Sequence, residues 1–225
     1  MQKTLLIGAV CLVAGMLIGF FGANSLNRDY SAANHPAMGD AATQTAGAGV
    51  PSQPGGMMPD IAELLEKADR EPENFATQMK TGDLYAQIGR FDRAIEFYKR
   101  GIALNPDDVR ANLVIANAYF DSGQWDLAAS HYEKVLAETP DDLNARTDLG
   151  STFVERQQPD YERALQEFST VLEKEPKHEP SLYYLGVTYH RKGDTEKANE
   201  TLEKLIAANP ASELVGRLRQ NIAAK

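Results

Sequence analysis

Gly89-Arg90-Phe91-Asp92-Arg93-Ala94 decides the fold, because the same stretch returns further along the chain. It stands again as Gly123-Gln-Trp125-Asp-Leu-Ala128, as Pro159-Asp-Tyr161-Glu-Arg-Ala164, and as Gly193-Asp-Thr195-Glu-Lys-Ala198. One helical pattern runs up to each copy and a second follows it, so the stretch is a helix–corner–helix joint. The glycine ends the first helix by tolerating the left-handed conformation. The aromatic plugs the corner. Pro72, Pro106 and Pro140 stand 34 residues apart, Pro176 comes 36 later and Pro210 another 34, each closing a unit because proline cannot continue a helix. A fixed period of this size marks a solenoid, in which each unit buries its apolar face on the next.

Between the prolines the small residues recur. Gly82, Ala116, Gly150 and Gly186 occupy one place in the first helices; Ala94, Ala128, Ala164 and Ala198 occupy one in the second. They let paired helices approach closely. Tyr85, Tyr119, Phe153 and Tyr189 follow the first set by about one turn, and Tyr98, Tyr132, Phe168 and Leu202 follow the second, filling the space between helices.

These residues resemble the tetratricopeptide repeat, with units at about 75–108, 109–142, 143–178 and 179–212. The resemblance implies an all-α fold, a right-handed α-solenoid of helix pairs. The chain departs from the pattern at Gln78, Asn112 and Arg146, where the family often has a large apolar residue; Leu182 conforms. It departs again at Val135, Val171 and Leu205, where the family prefers a small one, and looser packing between repeats is the expectation. The third repeat carries a two-residue insertion at Gln157-Gln158-Pro159 and lacks the corner glycine. Capping helices are expected at 60–71, opened by the capping-box pattern Asp60-Ile-Ala-Glu63, and at 212–223, with Leu214, Leu218 and Ile222 four apart. The repeat domain then spans 60–225.

The first 59 residues are a different polymer. Leu5 to Ala23 is an unbroken run of 19 apolar or glycine residues. At about 1.5 Å per residue a helix of that length nearly crosses a hydrocarbon core. The run exceeds the apolar region of a cleaved signal peptide, which favours a retained signal anchor over 4–26 against cleavage near Ala23-Asn24-Ser25. Lys3 and the N-terminus precede the run, while Arg28 and Asp29 cancel after it. The N-terminus is therefore expected in the cytoplasm, the span in the inner or plasma membrane, and the repeats in the periplasm or another extracytoplasmic space. Cys11, Gly15, Gly19 and Ala23 fall four apart on one face and form a candidate helix–helix contact in the membrane. Residues 27–59 read as a flexible linker; from 31 to 59, 20 of 29 positions are Gly, Ala, Ser, Thr or Pro, too little apolar surface to offset chain entropy.

Residues 1–59 carry two basic and two acidic side chains, so the whole net charge of −9 belongs to the repeats. An acidic module lacks the basic stripe that phosphate binding needs, which excludes nucleic acid as the main partner. The single cysteine, Cys11, excludes an intramolecular disulfide and a cysteine-based zinc cage. None of His35, His131, His178 and His190 has a partner at metal-ligand spacing, and there is no phosphate loop, so neither an enzyme nor a cofactor is expected. Asn199-Glu-Thr201 matches a glycosylation acceptor but falls within a helical pattern. Trp125 shares the corner place of Phe91 and Tyr161, a structural role.

What remains is a surface. In the family it resembles, the first helices line a concave groove that binds peptides or helices. Here that register presents Met79, Asp83, Arg110, Leu113, Asn117, Phe120, Asp121, Thr147, Ser151, Val154, Glu155, Tyr183, Val187, His190 and Arg191. Met79 and Asp83 stand where carboxylate-clamping repeats carry Lys and Asn, so an extended or helical partner with an apolar face is expected instead. Phe120 and Tyr183 are the candidate anchors; the alternative for each residue is packing between adjacent first helices. The function expected is a membrane-tethered adaptor or assembly factor. The architecture also resembles the periplasmic subunit of cytochrome c maturation, which implies binding of apocytochrome in the groove. A self-associating envelope scaffold, a homo-oligomer joined through the small-residue face, is the third reading.

Overall fold

The computed structural model describes residues 58–224; the expected membrane span 4–26, most of the expected linker 27–59, and Cys11, Gly15, Gly19 and Ala23 lie outside them. The described residues form ten helices and no strand: α1 (Met58–Arg70), α2 (Phe75–Gln87), α3 (Phe91–Leu104), α4 (Val109–Asp121), α5 (Trp125–Glu138), α6 (Leu143–Glu155), α7 (Tyr161–Lys174), α8 (Glu179–Arg191), α9 (Thr195–Ala208) and α10 (Glu213–Ala223). Each packs on the next, and α10 also packs on α8, so the helices stack as an α-solenoid. The pairs α2–α3, α4–α5, α6–α7 and α8–α9 are the four repeats.

Local chemistry sets the helix ends. The residue two places after each repeat proline caps the following first helix. Asn74 accepts from the Thr77 amide at 3.1 Å, Asp108 from Ala111 at 2.7 Å, and Asp142 from Asn144 and Ala145 at 3.0 Å. His178 Nδ1 accepts from Ser181 at 3.3 Å and Ser212 from Leu214 at 3.3 Å. Each cap satisfies an orphan amide, worth about 1 kcal/mol for Asn, Asp or Ser. Gly89, Gly123 and Gly193 turn the corners at φ 72°, 74° and 83°. The third corner has no glycine, yet the Asp160 amide still reaches the Phe153 carbonyl at 3.0 Å, matching Arg90 to Tyr85 and Gln124 to Tyr119 at 2.8 Å. The insertion is therefore absorbed in the loop. The α1 helix starts at Met58, so Asp60 lies inside it rather than capping it, a correction to the capping-box reading.

The core is built where the small residues stand. Ala94, Ala116, Ala128, Ala164 and Ala198 are fully buried. A Cβ on Gly82 would sit 2.4 Å from the Tyr98 ring, and one on Gly150 would sit 2.5 Å from Phe168. The departures from the family pattern are packed into the core. Val135, Val171 and Leu205 are 1%, 0% and 0% exposed, and their counterpart Gly101 makes room for the Met79 sulfur.

The polar residues at the fourth place of the first helices are tied to carbonyls of the preceding helix or loop. Gln78 Nε2 donates to the Ala68 carbonyl at 2.8 Å, Asn112 Nδ2 to Pro106 at 2.8 Å, and Arg146 Nη2 to Pro140 at 3.0 Å. Two of them also meet a matched residue on their own second helix: His131 Nδ1 with Asn112 Oδ1 at 2.8 Å, and Arg146 with Glu167 at 2.8 Å. Polar joints thus replace apolar packing there.

Ion pairs join successive units of the stack, among them Arg100 with Asp69 of α1 at 3.1 Å, Arg163–Glu133 at 2.5 Å and Lys192–Glu162. Exposed as they are, each adds little stability.

Candidate partner-binding face

The Thr147 and Ser181 hydroxyls lie 2.7 Å apart, buried, bridging α6 and α8. Thr147 is the fifth residue of its helix and Ser181 the third, so the fifth-residue edge of one first helix faces the third-residue edge of the next. The twelfth residue lies two turns beyond the fifth on the same edge. This register divides the expected groove residues into two groups.

Met79, Leu113, Phe120, Val154 and His190 fall on the edge turned toward the next repeat, as Thr147 does. Leu113, Phe120 and Val154 are 8%, 5% and 1% exposed. Met79 packs on Gly101, and His190 is half-buried with its Nδ1 unpaired among the described residues. Phe120 therefore offers no free ring. Tyr183 is also buried. Its hydroxyl accepts from Asn221 Nδ2 at 3.1 Å, and Arg217 lies 5.7 Å over its ring, both from α10. It stands at the edge of the capping helix.

The residues at the second, ninth and thirteenth places form the other group. Asp83 and Asn117 are acceptors for buried tyrosines: Tyr98 Oη donates to Asp83 at 2.8 Å and Tyr132 Oη to Asn117 at 2.7 Å. Burial and the nearby Asp83 carboxylate push the Tyr98 hydroxyl far above its usual range. The two remaining repeats lack the hydroxyl, having Phe168 and Leu202, and there the ninth place is Ser151 or Val187. Arg110 is exposed and pairs with Asp83 at 2.7 Å. Arg191 pairs with Glu155 at 3.0 Å and donates to the Val154 carbonyl at 3.2 Å. Asp121 is half-buried.

Sequence reasoning missed one row. Lys80, Val114, Asp148 and Tyr184 occupy the sixth place, one turn from the ninth and so on the same face. Lys80 is exposed, whereas Asp148 and Tyr184 are each 7% exposed. Tyr184 stacks on Phe168 at 6.0 Å and meets Tyr183 edge-on at 5.1 Å. Helical spacing could have found the row; selection by hydropathy passed over it.

The face is thus a wall of alternating acid, amide, hydroxyl and aromatic groups. No described helix packs across it, since each first helix contacts only its own partner and neighbours in the stack. Among the described residues there is no group of side chains that could hold a metal ion, and no helix long and apolar enough to cross a membrane.

Comparison with known proteins bears on the fold. Residues 41–end of MamA from Desulfovibrio magneticus RS-1 superpose with a TM-score of 0.63 at 22% identity, over 71% of this chain and 89% of that one. The tetratricopeptide-repeat protein TTC0263 of Thermus thermophilus gives 0.56 at 21% identity, over 67% and 82%. PilW, a type IV pilus biogenesis factor, gives 0.60 at 16% identity, over 74% and 78%. At these identities the likeness is one of fold. No curated protein matches. Two family models, each described as tetratricopeptide repeat, match residues 59–109 and residues 85–147 with 155–222. With the helix pairs, corner glycines and small-residue contacts, they establish that this chain belongs to the tetratricopeptide-repeat family.

Proposed function

We propose that the protein is a membrane-tethered adaptor or assembly factor that holds a peptide or helix of a protein partner on the face formed by its first helices. The observation that carries this reading is the recurrence of the second, sixth, ninth and thirteenth places through four repeats with no described helix packed across them. Four successive helices give a partner an extended track rather than a single pocket. The run Leu5–Ala23 supports a tether, with the repeats held on the extracytoplasmic side. A tether raises the effective concentration of the module for partners at the same membrane. PilW, a neighbour in fold, is named as a biogenesis factor, which supports an assembly role by analogy of fold alone.

Site-specific photocrosslinking in intact cells tests the reading. A photoreactive residue in place of the exposed Arg110 or Arg191 is expected to capture a protein partner, while one at the exposed, outward Glu203 is not. Equal capture from both faces, or from neither, overturns it. An apocytochrome among the products would narrow the role to haem-protein assembly; the chain itself would narrow it to a scaffold.

A further inference from the structure

Asn144, Asp148, Ser151 and Glu155 run i, i+4, i+7, i+11 down one face of α6. Glu155 is neutralised by Arg191 at 3.0 Å, and on the first repeat Asp83 is neutralised by Arg110 at 2.7 Å. Asp148 differs. The residue is 7% exposed, and neither a side-chain hydrogen bond nor a cation among the described residues acts on its carboxyl group. The bonds that reach Asp148 go to its main-chain carbonyl, from Ser151 Oγ at 2.8 Å and Thr152 Oγ1 at 2.7 Å. The charged groups acting on it are the Asp142 and Asp121 carboxylates, both of its own sign. A buried carboxylate facing like charge is unfavourable unless something positive completes the site.

We propose that the face at the join of the second and third repeats receives a cationic side chain, a lysine or arginine of the bound peptide, on the Asp148 carboxylate. This rests on the partner-binding reading above and specifies its chemistry. Charge complementarity carries it: an arriving cation draws the proton off the Asp148 carboxyl and pairs with the carboxylate, beside the negative Asp121, where this chain supplies no cation to Asp148. The neighbouring sixth-place residue, Tyr184, lies close enough to feel the Asp148 charge and adds an aromatic wall of the kind that accepts a cation. A metal ion is a poor fit, because among the described residues no three ligating side chains stand close enough to hold one. Burial and the two carboxylates also push the Asp148 carboxyl up to about 8, the same frustration read as proton affinity.

The test uses the full-length chain in detergent micelles. Peptides are selected from a phage-displayed random library, and one selected peptide is remade with norleucine in place of its conserved basic residue. Binding of both peptides is measured by fluorescence anisotropy to the wild type and to Asp148→Asn. The expected result is a lysine or arginine at one fixed position of the selected peptides. Norleucine should then weaken binding about tenfold or more on the wild type and much less on Asp148→Asn. Asparagine has the same shape and relieves the like-charge contact, so a lost preference cannot be put down to unfolding. Peptides that bind both proteins with the same norleucine penalty, or that carry no fixed basic position, overturn the Asp148 assignment and leave partner binding standing. Failure to select any peptide, together with no crosslinked partner, overturns both.

Discussion

Leu218 fills over Gly186 the place that Tyr98 fills over Gly82 and Phe168 over Gly150. A Cβ on Gly186 would stand 2.6 Å from a Leu218 methyl, and Leu218 is fully buried. The first three repeats supply a large ring from their own second helix. The fourth has only Leu202 there, and α10 completes the packing from outside the repeat.

The capping helix should therefore be fastened by this one contact more than by any other. Leu218→Ala is expected to cost about 2–5 kcal/mol, the cost of deleting buried methyl groups and leaving a cavity. Gly186→Val should push α10 away. Both should speed hydrogen exchange in Glu213–Ala223 before the rest of the solenoid, and unchanged exchange there would refute the assignment.

Arg146 and Glu167 form a partly buried pair, 20% and 13% exposed at their side chains. Arg146→Leu alone strands Glu167 and is expected to cost about 3 kcal/mol, whereas Arg146→Leu with Glu167→Leu should recover most of that. Urea unfolding of the two single variants and the double variant measures the coupling. Simple additivity would mean the joint is not a joint.

The folded protein holds Asp148 well above its ordinary carboxyl value of 3.8, at about 8. Between those values the folded chain keeps a proton that the unfolded chain releases. Stability from this group is therefore full below about pH 4, falls as the pH rises, and is lost above about 8. Asp148→Asn should melt higher than the wild type at pH 8 and lose the advantage near pH 4. Thermal melts across that range decide it; parallel curves would exclude the effect.

His131 behaves in the opposite sense. Burial, then Lys134 and Lys99, pushes its imidazole down from 6.5 to about 4. The unfolded chain takes up a proton below 6.5 that the folded chain refuses until about 4, so stability falls as the pH drops through that window. The neutral ring, with its hydrogen on Nδ1, donates to Asn112 Oδ1. His131→Gln should reduce the loss of urea resistance between pH 7 and pH 4.5, and an unaltered loss would place the acid sensitivity elsewhere.

The repeat was legible because its evidence is local and periodic. Corner glycines, closing prolines and small residues recur at fixed intervals, and each has a conformational reason that needs no knowledge of the neighbours. The caps at Asn74, Asp108, Asp142, His178 and Ser212 were equally legible, two residues after each proline, had the prolines been read as signposts as well as terminators.

The candidate face was only half legible. Spacing along a helix says which residues share a face, but the direction of that face depends on where the next helix sits. The Thr147–Ser181 contact supplies that direction. It turns Leu113 and Phe120 toward the next repeat and places the largely buried Asp148 and Tyr184 on the same helix face as the ninth-place residues. The roles of Asp83 and Asn117 as acceptors for Tyr98 and Tyr132 also needed the structure, because each bond joins residues 15 apart on different helices.

The amino-acid order by itself therefore determined the family, the number of repeats and the helix pairs, since these follow from backbone preferences and apolar period. Only the tertiary structure decided which polar groups are already satisfied and which, like Asp148, are largely buried beside like charge. Satisfaction is a property of distances between helices, and no local pattern encodes those.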